Sequence, residues 1–148
     1  MKLFLDTNIF IEYFENRLQS NLVGQVFDTI EEGVVEAVTS TGGFYTMTYL
    51  LTNALKRNNI HKPEQTKRLR TILNGVLKLI TVVDVAHENI YDAVNDESFT
   101  DLEDSYQYRC ALQNSCTQLI TINIRDYTHV ESNNIEILTP EQFIEKYL

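Results

Sequence analysis

Apolar and polar positions change along the chain in short blocks that predict strands and helices in turn. Compact apolar runs predict strands at 3–5, 34–40, 77–83, 118–122 and 135–138. Helical spacing of apolar residues predicts helices at 9–14, 22–30, 44–56, 63–75, 86–94, 100–114 and 140–147. Strands that alternate with helices are typical of a parallel sheet that is covered on both faces. The pattern therefore predicts an α/β fold in which residues 1–148 form a single domain.

Composition limits the class of protein. A hydrophobic fraction of 43% is ordinary for a globular chain, and no apolar run approaches the ~18 residues of a membrane helix. The first residues carry one cation, Lys2, and no small-residue cleavage site, so they do not resemble a signal peptide. Cys110 and Cys116 lie six positions apart in a predicted helix and would face different sides of it. Free thiols suit a reducing compartment, so we expect a cytoplasmic protein.

The net charge of −9 is distributed unevenly along the chain. The segment 56–78 contains one acid, Glu64, and many basic residues, namely Lys56, Arg57, Lys62, Lys67, Arg68, Arg70 and Lys78. A uniformly acidic protein should repel nucleic acid, whereas a basic segment could still contact a phosphate backbone. Lys67, Arg68 and Arg70 are the candidates for that contact. The alternative is an ordinary solvated helix face.

Polar residues that follow strands are candidates for chemistry. Asp6, Thr7 and Asn8 come directly after the first apolar run, and Asn123 and Asp126 follow a later one. In open parallel sheets, ligands bind beyond the carboxyl ends of the strands, at the point where the strand order reverses. The alternative for the first group is that Asp6 or Thr7 merely caps the next helix, since both residue types are good N-caps.

A second acidic group lies at the start of a predicted helix. Asp101, Glu103 and Asp104 occupy its first turn, and Thr100 with Glu103 matches a capping box. Capping and the helix dipole account well for Glu103 and adequately for Asp101. They account less well for Asp104, which lies past the free N–H groups.

These acids are predicted to meet in one crevice, because the carboxyl ends of parallel strands share one edge of the sheet. Carboxylates within a few ångströms repel one another, so one would hold a proton unless a cation neutralised them. Oxygen ligands without a His or Cys cluster favour Mg²⁺ or Mn²⁺. The three histidines are scattered and are expected to be surface or packing residues: His61, His87 and His129.

Four segments together resemble a known family. They are LFLDTNIFIEYF (3–14), DLEDSYQYRCALQNSC (101–116), LITINIRDY (119–127) and EILTPEQF (136–143), and their order and spacing are similar to those of PIN domains, in the branch with bacterial VapC-like toxins. The resemblance implies a three-layer α/β/α fold with a mostly parallel sheet. It also implies cleavage of RNA that depends on Mg²⁺ or Mn²⁺, an antitoxin protein as partner, and a homodimer.

The resemblance also implies roles for individual residues. Asp6, Asp104 and Asp126 would bind the metal and activate water for in-line attack on a phosphodiester. Asn123 would orient a carboxylate or a water molecule. Asp101 and Glu103 would adjust the electrostatic field at the metal or help to bind a second metal. Thr7 and Asn8 would supply hydrogen bonds and cap the following helix.

The chain departs from the family pattern at one position. PIN nucleases usually have a Glu about six residues past a Ser in the helix after the second strand, and counting from Ser40 gives Thr46. A Thr hydroxyl brings no charge to a divalent cation. An alternative function is therefore a PIN-fold module that binds RNA or a protein partner and has lost efficient cleavage. A nucleotide-binding domain of another kind is disfavoured, because Gly42 and Gly43 do not form a phosphate-binding loop.

Overall fold

The computed structural model describes residues 1–130 and 134–148. Within them the strands are β1 (Lys2–Leu5), β2 (Glu36–Ser40), β3 (Thr81–Val83), β4 (Gln118–Ile120) and β5 (Glu136–Leu138). The helices are α1 (Thr7–Phe14), α2 (Ser20–Glu31), α3 (Thr41–Arg57), α4 (Glu64–Leu79), α5 (His87–Val94), α6 (Leu102–Gln113) and α7 (Pro140–Tyr147). A 3₁₀ helix (Ile124–Tyr127) follows β4.

The strands of the described residues form one sheet in the order β3-β2-β1-β4-β5, and every neighbouring pair is parallel. The chain begins in the middle, moves outward to β3 and then returns to the other side of β1. The strand order therefore reverses between β1 and β4, whose ends are joined where the Asp6 N–H donates to the Ile120 carbonyl at 3.0 Å. A crevice is expected beyond the carboxyl ends of these two strands.

Two apolar cores cover the two faces of the sheet. Leu3 and Leu5 of β1 belong to the core formed with α1, α2, α3, α4 and α7, whereas Phe4 belongs to the core formed with α6. Successive strand residues point to opposite faces, so a strand that is apolar throughout is buried on both sides. This arrangement confirms the predicted α/β/α layers and the parallel sheet.

The predicted strand at 77–83 is wrong in its first half. Helix α4 continues to Leu79, and β3 begins only at Thr81. Leu73, Val76 and Leu79 keep a helical spacing toward the core, which an apolar run alone does not distinguish from a strand. The expectation that both cysteines share a helix is also wrong, because α6 ends at Gln113, although both thiols are free and buried.

No helix within residues 1–130 and 134–148 is long and apolar enough to cross a lipid bilayer. This finding agrees with the absence of a long apolar run in the sequence.

The first turn of α3 offers a matched test of how closely it packs against α1. A Cβ on Gly42 would contact nothing within 4 Å, whereas a Cβ on Gly43 would lie 3.0 Å from the hydroxyl oxygens of Ser40 and Thr7. The Ser40 hydroxyl is fixed because it caps α3 by accepting the Gly43 N–H at 2.9 Å.

We predict that Gly42→Ala raises the free energy of unfolding by about 0.5–1 kcal/mol, since alanine favours the helix. Gly43→Ala should be less stable than Gly42→Ala by about 1–3 kcal/mol, the usual cost of overpacking. Urea denaturation of the two variants measures the difference. Equal stability of the two would contradict the close approach of α3 to Thr7.

Candidate active site

A cavity of about 490 Å³ opens beyond the carboxyl ends of β1 and β4. Every acidic or polar candidate from the sequence lines it, namely Asp6, Thr7, Asn8, Thr46, Asp101, Glu103, Asp104, Asn123 and Asp126. These residues come from separate segments of the chain. The structure thus brings together what the sequence predicted at separate strand and helix ends.

The Asp6 carboxylate is buried and accepts hydrogen bonds from other side chains rather than from the first turn of α1. Asp6 occupies the N-cap position of α1, but its side chain makes no hydrogen bond that caps the helix. Its Oδ2 atom instead accepts the Thr121 hydroxyl at 2.7 Å and the Asn8 side-chain amide at 3.1 Å. Asp6 is 3% exposed. Asp6 therefore does not merely cap the helix.

Thr121 and Asn8 join the ends of β1 and β4. The Thr121 hydroxyl oxygen accepts the Asn8 amide at 3.2 Å and the backbone N–H of Asn123 at 3.1 Å. The Asn8 side-chain oxygen accepts the backbone N–H of Ile122 at 3.1 Å. The sequence reasoning missed Thr121, because the predicted strand 118–122 included it, whereas β4 ends at Ile120.

Gln107 fixes α6 to the start of α1 and was also missed. Its side-chain oxygen accepts the backbone N–H of Thr7 at 3.0 Å and the Thr7 hydroxyl at 3.4 Å. Gln107 is buried and lies one helical turn after Asp104, on the same face. A glutamine at that spacing from a candidate ligand was the available signal.

Helix α6 begins at Leu102, two residues later than the predicted range 100–114. Asp101 is its N-cap, and its carboxylate accepts the backbone N–H groups of Glu103 at 2.8 Å and Asp104 at 3.4 Å. The predicted capping box of Thr100 and Glu103 is therefore wrong, because Asp101 has the extended backbone and the short acceptor that an N-cap needs. With the cap supplied, the side chains of Glu103 and Asp104 are free to face the cavity.

The carboxylates in the cavity disfavour one another's charge. Burial is the main cause that raises the pKa of the Asp104 carboxyl to about 7, and the negative charges of Asp6 and Asp101 raise it further. Burial and then Asp6 raise the pKa of Glu103 in the same way. Burial raises the pKa of Asp6 despite its hydrogen bonds from Thr121 and Gln107. The predicted repulsion between these acids is therefore present in the structure.

Tyr127 links the two central acids and was not singled out from the sequence. Its buried hydroxyl lies 3.4 Å from Asp6 Oδ2 and 3.5 Å from Asp104 Oδ1. Burial and the charges of these two acids raise its pKa. Tyr127 therefore stays neutral and can donate one hydrogen bond to either carboxylate.

Of the basic segment 56–78 that the sequence singled out, Arg57 lines the cavity. Lys67, Arg68 and Arg70 are exposed on α4, and none of them lines the cavity. Arg17 and Arg57 line it instead, on either side of Glu15. The histidines lie elsewhere, at exposed positions, and His129 packs its ring against Phe99.

The donor set suits a hard divalent cation that keeps several water ligands. All the candidate donors are oxygen atoms, and burial together with the negative charges of Asp6 and Asp101 raises the pKa of Asp104. Within residues 1–130 and 134–148, no group of three or more His, Cys, Asp or Glu side chains is placed to hold a metal ion. Mg²⁺ commonly uses one or two carboxylates and keeps several waters, so Asp6 and Asp104 fit such a site.

Comparison with known proteins agrees with this geometry. The chain is 27% identical over 148 residues to Ribonuclease VapC1 of Aquifex aeolicus, in a match that covers 99% of this chain and 95% of that protein. The fold is similar to that of VapBC2 from Rickettsia felis, solved with a promoter DNA fragment, with a TM-score of 0.67 and 13% identity over 94% of this chain and 98% of that one. It is also similar to a toxin–antitoxin complex from Klebsiella pneumoniae, with a TM-score of 0.61 and 20% identity over 93% and 97% of the two chains.

The family model for the PIN domain matches residues 2–125, which include β1 to β4 and most residues that line the cavity. The predicted resemblance is thereby confirmed. The chain belongs to the PIN-domain family.

Proposed function

We propose that this protein is a metal-dependent endoribonuclease that hydrolyses phosphodiester bonds in single-stranded or loop RNA. The observation that carries the proposal is the pair of acids at the strand-order reversal, Asp6 and Asp104, which share the Tyr127 hydroxyl and have raised pKa values. The resemblance to a protein named as a ribonuclease supports RNA as the substrate. Single-stranded RNA fits an open crevice, because its phosphates are accessible and its bases can splay apart.

The residues that would hold Mg²⁺ or Mn²⁺ are Asp6 and Asp104, with Asp126 at the exposed side of the cavity. A divalent cation supplies Lewis acidity and water activation in this class of reaction. Thr121 and Asn8 keep the Asp6 carboxylate aimed at the cavity through their hydrogen bonds. Asn123 would orient a carboxylate or a water molecule.

Asp101 and Glu103 add negative charge beside this pair, and Asp101 also holds the start of α6 in place. Burial, and after it the charges of Asp6 and Asp101, raises the pKa of Glu103. These two acids therefore tune the field at Asp104 and could contribute ligands to a second cation once substrate is bound.

A protein partner is part of the proposal. A structural neighbour is described as a toxin–antitoxin complex, which supports an antitoxin as the binding partner of this chain. The protein would then be the toxin of a pair and act in the cytoplasm. The homodimer and the contact of Lys67, Arg68 and Arg70 with RNA remain predictions.

Thr46 favours a second function, a PIN-fold module that binds RNA or a protein partner with weak or no cleavage. It lines the cavity where the family usually supplies a carboxylate. The two functions differ in whether the acids promote metal-dependent cleavage, which the following variants test.

Asp104→Asn is expected to lower Mn²⁺-dependent cleavage of single-stranded RNA by more than about a hundredfold, the scale expected when a charged metal ligand is removed. Without metal the variant should melt at a higher temperature, because a repelled carboxylate has been removed. Thermal melts with and without millimolar Mn²⁺ should show a metal response in the unmutated protein and none in Asp104→Asn. The matched control is Asp92→Asn, at an exposed position of α5 outside the cavity. Cleavage that survives Asp104→Asn would contradict the proposed role.

The stability of the metal-free protein should depend on pH through Asp104. Its pKa is about 7 in the folded protein against an ordinary value of 3.8, so the folded state binds this proton more tightly. Stability therefore falls as pH rises between these values, and Asp104→Asn removes that loss. We predict that the melting temperature of the variant exceeds that of the unmutated protein by a margin that grows from pH 5 to pH 8. A constant margin would show that Asp104 titrates normally.

Thr46→Glu restores the family's usual charge and is expected to tighten Mn²⁺ binding by about 1–2 kcal/mol, on the scale of charge-assisted contacts. It should also raise RNA cleavage and lower stability without metal, since a further carboxylate joins the cavity. Calorimetric titration and melts with and without Mn²⁺ measure these effects. A stability loss that Mn²⁺ does not recover would remove Thr46 from the site.

A further inference from the structure

We infer that Arg17 and Arg57 form a clamp for the RNA backbone beside the acidic pair, an inference that rests on the proposed ribonuclease function. Among the described residues, the lining of the cavity carries the carboxylates of Asp6, Glu15, Asp101, Glu103, Asp104 and Asp126, and its basic side chains are these two arginines. A polyanion that enters such a cavity needs fixed positive charge near the acids. The two arginines supply it.

The two guanidinium groups are brought together by one carboxylate. Arg17 Nη2 lies 2.7 Å from Glu15 Oε2, and Arg57 Nη2 lies 2.7 Å from Glu15 Oε1. One carboxylate neutralises one cation, so this triplet keeps a net positive charge. Each guanidinium has five N–H donors in a rigid fork that suits phosphate oxygens, and most of these donors remain available for a ligand.

The backbone around Arg17 is held in place, so the clamp is not a loose surface pair. The buried Glu12 carboxylate accepts the Gln19 N–H at 2.9 Å, and the Glu12 carbonyl accepts the Arg17 N–H at 3.0 Å. Asn16 turns the chain with a φ of 50°, and its side chain accepts the Ser20 hydroxyl at 3.0 Å. The arginine side chains themselves stay 53% and 63% exposed, which leaves them accessible to substrate.

Helix α3 sets which phosphate the clamp would meet. Thr46, Leu50 and Arg57 line the cavity along one side of α3, and Arg57 lies about 16 Å along the axis from Thr46 at the usual rise. A strand whose scissile phosphate lies at Asp6 and Asp104 would therefore place a different phosphate at the arginines. Arg17 and Arg57 are thus positioning residues that act on substrate affinity rather than on the bond that is cut.

A structural explanation predicts different behaviour. If the arginines only pair with Glu15, their removal should change stability slightly, since exposed ion pairs contribute little, and should leave RNA binding unchanged. The clamp predicts a weaker RNA affinity with little change in stability. The two explanations therefore separate in one set of measurements.

The test compares the double variant Arg17→Gln/Arg57→Gln with a charge-matched control, Lys2→Gln/Lys146→Gln. The control removes two positive charges at the amino end of the sheet, where Lys2 begins β1 and Lys146 pairs with Glu136 at the start of β5. Binding of a labelled single-stranded RNA oligonucleotide is measured by fluorescence anisotropy in EDTA from about 50 to about 200 mM salt, a range over which phosphate neutralisation is visible. Cleavage of the same oligonucleotide is measured with Mn²⁺.

The double variant should raise KM about tenfold with kcat within about twofold, because the scissile bond is untouched. Its plot of log Kd against log salt should flatten by about 0.7 for each phosphate that the arginines no longer neutralise. The control should keep the KM and the salt slope of the unmutated protein, and Arg17→Lys/Arg57→Lys should restore most of the slope. Melting curves check folding, and the single variant Arg17→Gln, which retains the Arg57–Glu15 pair, should show an intermediate effect.

An unchanged salt slope and KM in the double variant, or an equal change in the control, would overturn the clamp. A different result would contradict the proposed ribonuclease function alone. In that result the unmutated protein binds this RNA, the salt slope of binding depends on Arg17 and Arg57, and no cleavage occurs with Mn²⁺. In that case the clamp stands as an RNA-binding element.

Discussion

The fold of this protein depends on a carboxylate that is buried at the end of its central strand. A buried charge is costly unless hydrogen bonds replace its water, and Asp6 obtains them from Thr121 and Asn8. The same two residues join the ends of β1 and β4, which are adjacent only because the strand order reverses between them. The strand order and the position of the Asp6 carboxylate are therefore fixed by the same set of hydrogen bonds. The reversal creates the crevice, and the hydrogen bonds that close β1 onto β4 aim Asp6 into it.

A second acid turns this structural feature into a site with a chemical preference. Asp104 enters from α6 and meets Asp6 across the Tyr127 hydroxyl. Burial raises the pKa of both carboxyls, and the charge of Asp6 raises the pKa of Asp104 further. Two carboxylates held in this way favour a proton or a cation between them. The surrounding residues separate into a negative part near α6 and a positive rim formed by Arg17 and Arg57. Such an arrangement suits a phosphodiester that reaches the acids while its neighbouring backbone lies against the arginines.

Much of this could be predicted from the sequence, because the relevant signals are local. The apolar runs located the strands, and acids that directly follow strands or open helices located Asp6 and Asp104. The alternation of strands and helices indicated the layers. Local signals misled where two elements share a pattern: the apolar run that ends at Leu79 suited a helix as well as a strand. Two neighbouring residues, Thr100 and Asp101, were both plausible caps.

The features that were missed are those that depend on contacts between distant segments. Gln107 and Tyr127 look like packing residues until the fold places one against Thr7 and the other between two acids. Arg17 and Arg57 are far apart in the chain and carry no shared motif, so only their common partner Glu15 reveals them as a pair. Charge density along the chain included Arg57 in the basic segment 56–78 but favoured Lys67, Arg68 and Arg70 of α4. Charged residues from distant segments meet only in the folded protein, so a count of charges along the sequence does not show which charged side chains face the cavity.

The central claim is that Asp6 and Asp104 share a divalent cation, and proton release on metal binding tests it most directly. Because burial and the neighbouring acids raise the pKa of Asp104 to about 7, part of the protein carries a proton on this carboxyl at neutral pH and must lose it to bind a metal. Calorimetric titration with Mn²⁺ at pH 7, in buffers of different ionisation enthalpy, should therefore show protons released as the cation binds. The release should fall toward zero near pH 9. Binding without proton release at pH 7, or no binding at all, would contradict the account.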